Sequence, residues 1–217
     1  MTDLVIVGAG GFARETAAAA TAAGWRVLGF ADDDPALAGT SRSGRPILGP
    51  VDSVADHPDA AIVVCVGNPR DYTTRQRIVK RLALPADRYA TVVHPAAEIG
   101  AGSVIGPGSV LLAGAVLTAD VVVGSHVAVM PQAVLTHDNR VADYATIASG
   151  VRLGGGAILE TGAYVGAGAL IREGVTVGAW SLVGMGSVVL RDIPPGQIWA
   201  GNPASLLRDA SVEEMTR

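Results

Sequence analysis

The segment 135–140 (LTHDNR) carries five polar residues in succession, in a region built mostly from small and aliphatic residues. An imidazole exchanges protons near neutral pH, so His137 is suited to take a proton from an amine or hydroxyl that attacks an acyl carbon. The carboxylate of Asp138 beside it would strengthen the imidazole as a base. A histidine in a solvent-facing corner is also common, so these residues alone leave both a general base and a plain surface residue open.

The other three histidines and the single cysteine are weaker candidates. His126 and His57 fit structural roles, and His94 precedes a proline at a predicted domain junction, where it could border a cleft. A metal site needs several converging ligands, and the separation of His126 and His137 does not favour one, so no metal is expected. Cys65 lies in the apolar run AIVVCV and is predicted to be a buried strand residue.

The amino terminus predicts a strand, a glycine turn and a helix, in that order. The apolar run 4–7 is the strand, and the helix is expected over 14–23. Gly8, Gly10 and Ala13 follow the pattern G-x-G-x-x-A, in which backbone N–H groups at the start of a helix hold a phosphate. The same pattern also occurs as an ordinary tight turn.

Two further strands are expected after this turn. The strand over 26–31 ends in three aspartates, about 24 residues after the first glycine, where an acid contacts a ribose or a base. The remaining expected segments are a loop over 35–50, a short helix over 51–56, a strand over 60–66 and a helix over 71–83. This is half of a dinucleotide-binding domain, so an NAD-dependent dehydrogenase is not expected. Half a site suits a mononucleotide, such as the nucleotide end of a nucleotide sugar.

A repeat of six residues must position the polar segment. From Val93 to Val189 every sixth residue is aliphatic, which gives seventeen hexads in one register. Helices and simple strands, with periods of about 3.6 and 2, do not produce this spacing, whereas a parallel β-helix does. We expect three hexads per turn, with successive turns stacked about 4.8 Å apart. The aliphatic residue should point inward beside a small fifth residue, and glycine directly after the aliphatic residue should relax the corner.

The two patterns divide the chain into residues 1–85 and residues 86–217. The first would be a half-Rossmann α/β unit and the second an all-β coil. After the last hexad, Pro194 and Pro195 stop the repeat. A short helical tail is expected over 205–216, where it would cover the open end of the coil.

Composition argues against several function classes. The net charge of −4, with a single lysine and scattered arginines, does not fit a nucleic-acid surface. No apolar run approaches the roughly 18 residues of a membrane span, and the first residues lack the regions of a signal peptide. We therefore expect a cytoplasmic protein without nucleic-acid or membrane partners.

Five features recur together in one known family. They are the start GAGGFARE, the strand end DDD, VGNP after the third strand, the His-Asp pair on an unbroken hexad array, and the ending IPPGQIWAGNPASLLR. The combination resembles the sugar O- and N-acetyltransferases with hexapeptide repeats. That family includes NeuD-type sialic acid O-acetyltransferases and PglD-like nucleotide-4-amino-sugar N-acetyltransferases. The likeness covers essentially the whole chain, and the two-domain combination is much more specific than the hexads alone.

The resemblance implies a left-handed coil, a homotrimer with active sites between neighbouring coils, and acetyl-CoA as the acetyl donor. By position, His137 is similar to the family's catalytic base and Asp138 to the acid that tunes it, where many relatives have glutamate. The implied substrate-binding residues are Gly10, Gly11, Phe12, Asp32, Asp33 and Asn68. The implied cofactor-binding residues are Thr146, Ala167 and Met185.

The predicted function is acetyl-CoA-dependent N-acetylation of the 4-amino group of a nucleotide-linked amino sugar. His137 would act as general base in a direct transfer. An O-acetyltransferase acting on sialic acid or another sugar hydroxyl is the main alternative, because it needs the same base. A non-enzymatic trimer that senses a nucleotide through its first domain is a further alternative.

Overall fold

The computed structural model describes residues 2–210 as two units packed against each other. The elements of the amino-terminal unit are β1 (Asp3–Val7), α1 (Gly11–Ala22), β2 (Arg26–Ala31), β3 (Ser41–Arg42), β4 (Arg45–Gly49), β5 (Ala61–Val64) and α2 (Thr74–Leu82). Short 3-10 helices cover Pro35–Leu37, Val51–Asp56 and Ala86–Arg88. The five strands lie in the order β3-β4-β2-β1-β5. No helix within residues 2–210 is long and apolar enough to cross a membrane.

Strand β1 lies inside this sheet, between β2 and β5, and all of its residues from Leu4 to Val7 are apolar. It pairs in parallel with β2 and β5. Leu4 and Ile6 belong to the core on one side of the sheet, and Val5 and Val7 to the core on the other. Continuous apolar runs are typical of parallel strands that are covered on both faces. Helix α1 buries only alanines and one threonine, so it lies close against the sheet.

The prediction of a loop over 35–50 is wrong in part, because this segment contains the hairpin β3–β4. Strand β4 also pairs in parallel with β2. Gly29 of β2 permits the close approach, since a Cβ there would lie 2.5 Å from the carbonyl oxygen of Pro46. Only Ile47 of β4 is fully buried. A strand with one buried residue, a proline and a glycine gives almost no local signal.

The carboxy-terminal unit is a parallel β-helix in which every predicted hexad forms a strand. Each strand up to residue 171 pairs with the one 18 residues later, as Leu117 pairs with Leu135. The junction face stacks β6 (Val92–Val93), β9 (Val110–Leu111), β12 (Ala128–Val129), β15 (Thr146–Ile147), β18 (Tyr164–Val165) and β21 (Leu182–Val183). The second face stacks β7 (Glu98–Ile99), β10 (Val116–Leu117), β13 (Val134–Leu135), β16 (Arg152–Leu153), β19 (Leu170–Ile171) and β22 (Val188–Val189). The third face stacks β8 (Val104–Ile105), β11 (Val122–Val123), β14 (Arg140–Val141), β17 (Ile158–Leu159) and β20 (Thr176–Val177).

The interior of the prism is filled as the repeat predicts. Leu117, Leu135 and Leu153 stack above one another and are almost completely buried. The small fifth residues, such as Ala115 and Ala133, are buried beside them. Full burial of one leucine side chain contributes roughly 1.5–3 kcal/mol. Strands of two residues are therefore held by the shared core and by their neighbours in the stack rather than by their own length.

The corners turn at the fourth residue of each hexad, and the prediction that glycine directly after the aliphatic residue relaxes them is wrong. All fourth positions from 102 to 186 have positive φ, and most of them are glycine. The exceptions are Asp120, His126, Gln132, Asp138, Tyr144 and Trp180. The glycines directly after the aliphatic residues instead let neighbouring coils approach. A Cβ on Gly106, for example, would lie 2.6 Å from the carbonyl carbon of Gly124.

The predicted helical tail is wrong over its described part, since the chain forms the hairpin β23 (Gln197–Gly201) and β24 (Ala204–Asp209). Residues 211–216 of the predicted helix lie outside the described residues. Strand β23 pairs in parallel with β21 and extends the junction face. Its Trp199 packs into the end of the coil core. Pairing with an open strand edge overrides local helix propensity here, and the hairpin covers the end of the coil as the helix was expected to do.

Arg75 of α2 joins the two units at the junction face. It is buried, and its Nη2 donates hydrogen bonds to the carbonyl oxygen of Tyr144 at 2.8 Å and to Oγ1 of Thr146 at 2.8 Å. Among the described residues no carboxylate forms an ion pair with it. Burial lowers the pKa of Arg75 to about 10, so it is still charged at neutral pH. Nearby, the Tyr72 hydroxyl donates to the carbonyl oxygen of Trp180 at 2.9 Å.

The link between the units is short and structured. Tyr89 still forms a parallel bridge with Ile62 of β5, while Val92 already pairs with Val110 in the coil. The predicted boundary between residues 85 and 86 stays a prediction, because these contacts tie the link to both units.

Candidate functional site

His137 lies on the corner that joins the second face to the third face, between β13 and β14. Its Nδ1 is 2.7 Å from Oδ2 of Asp138, and both side chains are about two-thirds exposed, at 67% each. Asp138 is the fourth residue of its hexad and has a φ of 62°. When Nδ1 carries the proton and donates it to the carboxylate, Nε2 is the free basic atom. The corner therefore holds an imidazole and a carboxylate in the contact that a general base and an orienting acid would require.

Contacts with the next coil fix the backbone of this corner. Thr136 Oγ1 donates to the carbonyl oxygen of Leu153 at 2.7 Å, and Asn139 Nδ2 donates to that of Gly154 at 2.7 Å. The carbonyl oxygen of His137 accepts from the Gly156 N–H at 2.9 Å. Hydrogen bonds from both sides of His137 thus restrain the chain that carries the imidazole.

The glycine turn and the first aspartate form one structure at the carboxyl edge of the amino-terminal sheet. Oδ2 of Asp32 accepts from the N–H of Ala9 at 2.7 Å, and its Oδ1 accepts from that of Asp34 at 3.0 Å. Gly8 has a φ of +99°, and a Cβ there would lie 2.9 Å from the carbonyl oxygen of Cys65. Gly10 and Gly11 are exposed at the start of α1. Asp32 therefore shapes the turn on which any phosphate would rest.

Asp33 is engaged by a second set of contacts. Its Oδ1 accepts from the N–H of Val51 at 2.9 Å, and its Oδ2 pairs with Arg81 at 2.6 Å. Arg81 also pairs with Asp52 at 2.5 Å. Burial acts to raise the pKa of Asp33, but the hydrogen bonds from Val51 and Arg81 lower it overall. A cleft of about 220 Å³ opens beside these residues, lined by Gly8, Asp32, Asp33, Val51, Val66, Thr74 and Ile78.

A smaller cleft of about 140 Å³ lies where the two units meet. It brings together Phe12, predicted to bind substrate, with Thr146 and Ala167, predicted to bind the cofactor. Thr146 is buried, and its hydroxyl accepts a hydrogen bond from Arg75. This hydroxyl therefore links the two units at the junction. Asn68 is exposed, and its Oδ1 accepts from the N–H of Arg70 at 2.9 Å. Arg75 also lines this cleft, and the sequence did not single it out.

Ala167 and Met185 stack on the corner that joins the junction face to the second face. The N–H of Gly186 donates to the carbonyl oxygen of Ala167 at 2.8 Å. Met185 is 79% exposed, the most exposed of the large apolar side chains in the described residues. This corner is not the one that carries His137. One copy of the chain therefore does not bring the predicted base and the predicted cofactor groove to the same edge.

Comparisons with known proteins place this arrangement in a family. Residues 3–82 match the family model of the PglD N-terminal domain. The acetyltransferase domain of PglB from Neisseria gonorrhoeae is 31% identical, with 95% of this chain and 100% of that chain covered and a TM-score of 0.86. WeeI from Acinetobacter baumannii is 26% identical, over 95% of this chain and 100% of that chain, with a TM-score of 0.82.

A third solved structure is that of a histidine-to-asparagine mutant of perosamine N-acetyltransferase from Caulobacter crescentus, in complex with CoA and GDP-perosamine. It is 27% identical, over 96% of this chain and 98% of that chain, with a TM-score of 0.87. No curated protein sequence matches significantly. The family resemblance and the fold class inferred from the sequence are confirmed. The chain belongs to the PglD-like sugar acetyltransferases, and its coil is the left-handed β-helix of the hexapeptide acetyltransferases.

Proposed function

We propose that this protein transfers the acetyl group of acetyl-CoA to the 4-amino group of a nucleotide-linked amino sugar. The observation that carries the proposal is the His137–Asp138 pair, joined through Nδ1 at 2.7 Å and exposed on one corner of the coil. The family supports the same chemistry. The PglB acetyltransferase domain was solved with acetyl-CoA, and the Caulobacter N-acetyltransferase with CoA and GDP-perosamine.

In the proposed reaction, Nε2 of His137 takes a proton from the amine as its nitrogen attacks the thioester carbon. A C–N bond forms, the C–S bond breaks, and the proton passes to the leaving thiolate to give free CoA. Asp138 holds the ring in the tautomer that leaves Nε2 basic. Backbone N–H groups of the coil would stabilise the oxyanion. An amine that starts as an ammonium must lose its first proton to solvent before it can attack.

The amino-terminal unit would hold the nucleotide. The first N–H groups of α1 have no partner within the helix and suit a phosphate, and Gly10 and Gly11 leave them uncovered. The cleft next to Asp32 and Asp33 would take the ribose or the base. Phe12, which lines the junction cleft, and Asn68, which follows Gly67 of the same cleft, would contact the sugar.

A homotrimer would complete the active site. His137 lies on one edge of the coil, whereas Ala167 and Met185 lie on another, so a neighbouring copy is needed to bring the two edges together. Large apolar side chains are exposed on the outer faces, including Val104 at 60% and Leu170 at 45%. Contact between copies would bury them. We place the enzyme in the cytoplasm, where its proposed donor acetyl-CoA is available.

The proposal is tested by thiol release from acetyl-CoA with UDP-, GDP- and dTDP-linked 4-amino sugars, and with free and CMP-linked sialic acid. We expect turnover with one amino sugar and a fall of about 100-fold or more in His137→Ala, the usual range for loss of a general base. His57→Ala, which removes a histidine from the other unit, should keep wild-type turnover. Turnover only on sialic acid would shift the function to O-acetylation, and no turnover on any acceptor would contradict the proposal.

A further inference from the structure

Two residues beside His137 depart from the composition of all other coils. Gly155 is the only glycine among the third residues of the hexads from Ala101 to Met185. Asn139 is the only amide among the fifth residues from Ser103 to 187, which are otherwise serine, alanine or valine. Both exceptions fall within one coil of the proposed base.

Gly155 lies 18 residues after His137, directly below it in the stack. A Cβ on Gly155 would lie 2.5 Å from Nε2 of His137 and closer still to Cε1. The ring therefore rests against bare backbone. Gly155 is not among the residues with positive φ, so its backbone would accept any side chain. The space it leaves is needed by the imidazole rather than by the turn.

Asn139 holds the peptide next to this glycine. It is completely buried, and its Nδ2 donates to the carbonyl oxygen of Gly154 at 2.7 Å. Its Oδ1 is buried without a hydrogen-bond partner among the described residues, which is destabilising. Ser109 makes the same kind of contact in another coil, with Oγ donating to the carbonyl oxygen of Gly124 at 2.8 Å. Asn139 therefore occupies the hexad position at which Ser109 makes the corresponding hydrogen bond, although the asparagine leaves its Oδ1 unpaired among the described residues.

We propose that Gly155 and Asn139 are positioning residues for His137. Asn139 fixes the Gly154 carbonyl, and the bare backbone at Gly155 is the floor that keeps the ring in place with Nδ1 on Asp138 and Nε2 free. The catalytic part of this inference rests on the proposed role of His137 as base. The geometric part, that the floor sets the position of the ring, does not depend on turnover.

Gly155→Ala is the sharpest test, because the coil already accepts alanine at the same position in five other hexads. These alanines are at 101, 113, 119, 167 and 179. A displacement of about 1 Å costs up to about 100-fold in rate, so we expect kcat to fall about 30- to 100-fold, with the KM for the acceptor within about threefold of wild type. Unchanged kcat would overturn the proposal.

Asn139 is tested by a rescue series. We expect Asn139→Ala to lower kcat about tenfold, the effect of a slightly misplaced base. Asn139→Ser, which can restore the bond to the Gly154 carbonyl, should recover most of that loss. Ser109→Ala removes the corresponding bond on a different corner of the coil and should leave kcat unchanged. Equal loss in Asn139→Ala and Asn139→Ser would overturn the role given to the hydrogen bond.

A measurement without substrate separates this inference from the proposed function. Imidazole NMR of the ¹⁵N-labelled full-length protein reports the tautomer of His137, whose signals are assigned by their absence in His137→Ala. Gly155→Ala should shift these signals, whereas Ser109→Ala should not. Unchanged His137 signals in Gly155→Ala would overturn the positioning proposal even if the wild type is active. A wild type that turns over no acceptor would contradict the proposed function. The NMR result would still show whether the backbone at Gly155 sets the position of the His137 ring.

Discussion

We expect His126, at the junction between the two units, to make the stability of the fold depend on pH. It is only 6% exposed, meets the edge of Tyr89 with ring centroids 4.6 Å apart, and stacks on Tyr144 at 5.3 Å. Its Nδ1 is buried, and no residue within 2–210 forms a hydrogen bond with it. Burial first, and the positive charge of Arg75 second, lower the pKa of His126 from 6.5 to about 4, while Asp143 acts in the opposite direction.

The sign and size of the effect follow from proton binding. Between pH 4 and pH 6.5 the unfolded chain protonates this imidazole and the folded chain does not. The contribution of neutral His126 to the free energy of unfolding is therefore fully present above about pH 6.5 and is lost as the pH falls towards 4. The interval of about 2.5 pH units, at about 1.4 kcal/mol per unit, gives roughly 3 kcal/mol when the loss is complete. At pH 4.5 we expect about 2 kcal/mol, because water that reaches the junction reduces the full value.

The assay is denaturant unfolding at pH 7.5 and pH 4.5, with wild type and His126→Asn at one fixed protein concentration, since assembly would shift the midpoint. Asparagine tolerates the φ of 56° at this corner and does not titrate. Other groups that titrate contribute equally to both proteins. The wild type should lose about 2 kcal/mol more than the variant between the two pH values. An equal loss in both proteins would show that His126 is not the source of the pH dependence.

Three further predictions concern buried groups. Arg75→Met should lower the free energy of unfolding by about 2 kcal/mol in a denaturant assay, because acceptors at the junction lose charge-assisted hydrogen bonds. Arg77→Met, which breaks a partly exposed ion pair on the same helix, should lower it by less than about 1 kcal/mol. Equal losses in the two variants would contradict the role of Arg75 at the junction. Burial raises the pKa of the Cys65 thiol to about 12, so Ellman's reagent at pH 8 should label it only in denaturant, and rapid labelling of native protein would contradict this. Gly29→Ala should cost about 2 kcal/mol in the same unfolding assay through its clash with Pro46, and an unchanged midpoint would show that β2 and β4 pair less closely.

The coil could be predicted because one aliphatic residue recurs in a single register from Val93 to Val189. Each hexad carries its own inward residue, so no long-range information was needed to place the strands. The local sequence does not show which residue of the hexad turns the corner. The left-handed position tolerates Asp138 and Tyr144 as well as glycine, and only the backbone shows that it is the fourth residue that turns.

Pairing between distant segments explains the remaining errors in the fold. Strand β4 exists because β2 offers an edge and Gly29 lets it approach. Strand β24 exists because β23 extends the junction face and pairs with it. Neither partner can be read from the local sequence of the segment that was predicted as loop or helix.

The candidate site was predictable to different degrees. His137 and Asp138 were found as the one polar hexad, and their contact is present, although their catalytic roles stay a prediction. Gly155 has a signal in the sequence, since it is the one glycine at the third position of the hexads from Ala101 to Met185. Arg75 carried none, since its acceptors are mainly backbone carbonyl groups about 70 residues away in the coil. The binding residues assigned by resemblance also stay predictions.

The bond made in the product distinguishes N-acetylation from O-acetylation. The wild type or His137→Ala would be incubated with acetyl-CoA and the nucleotide-linked 4-amino sugar that is turned over in the thiol-release assay. The mass of the sugar product would be measured by mass spectrometry before and after hydroxylamine treatment. We expect one added acetyl group that survives hydroxylamine, as an amide does, and almost none with His137→Ala. An acetyl group that hydroxylamine removes, or an equal yield from the variant, would contradict N-acetylation by this base.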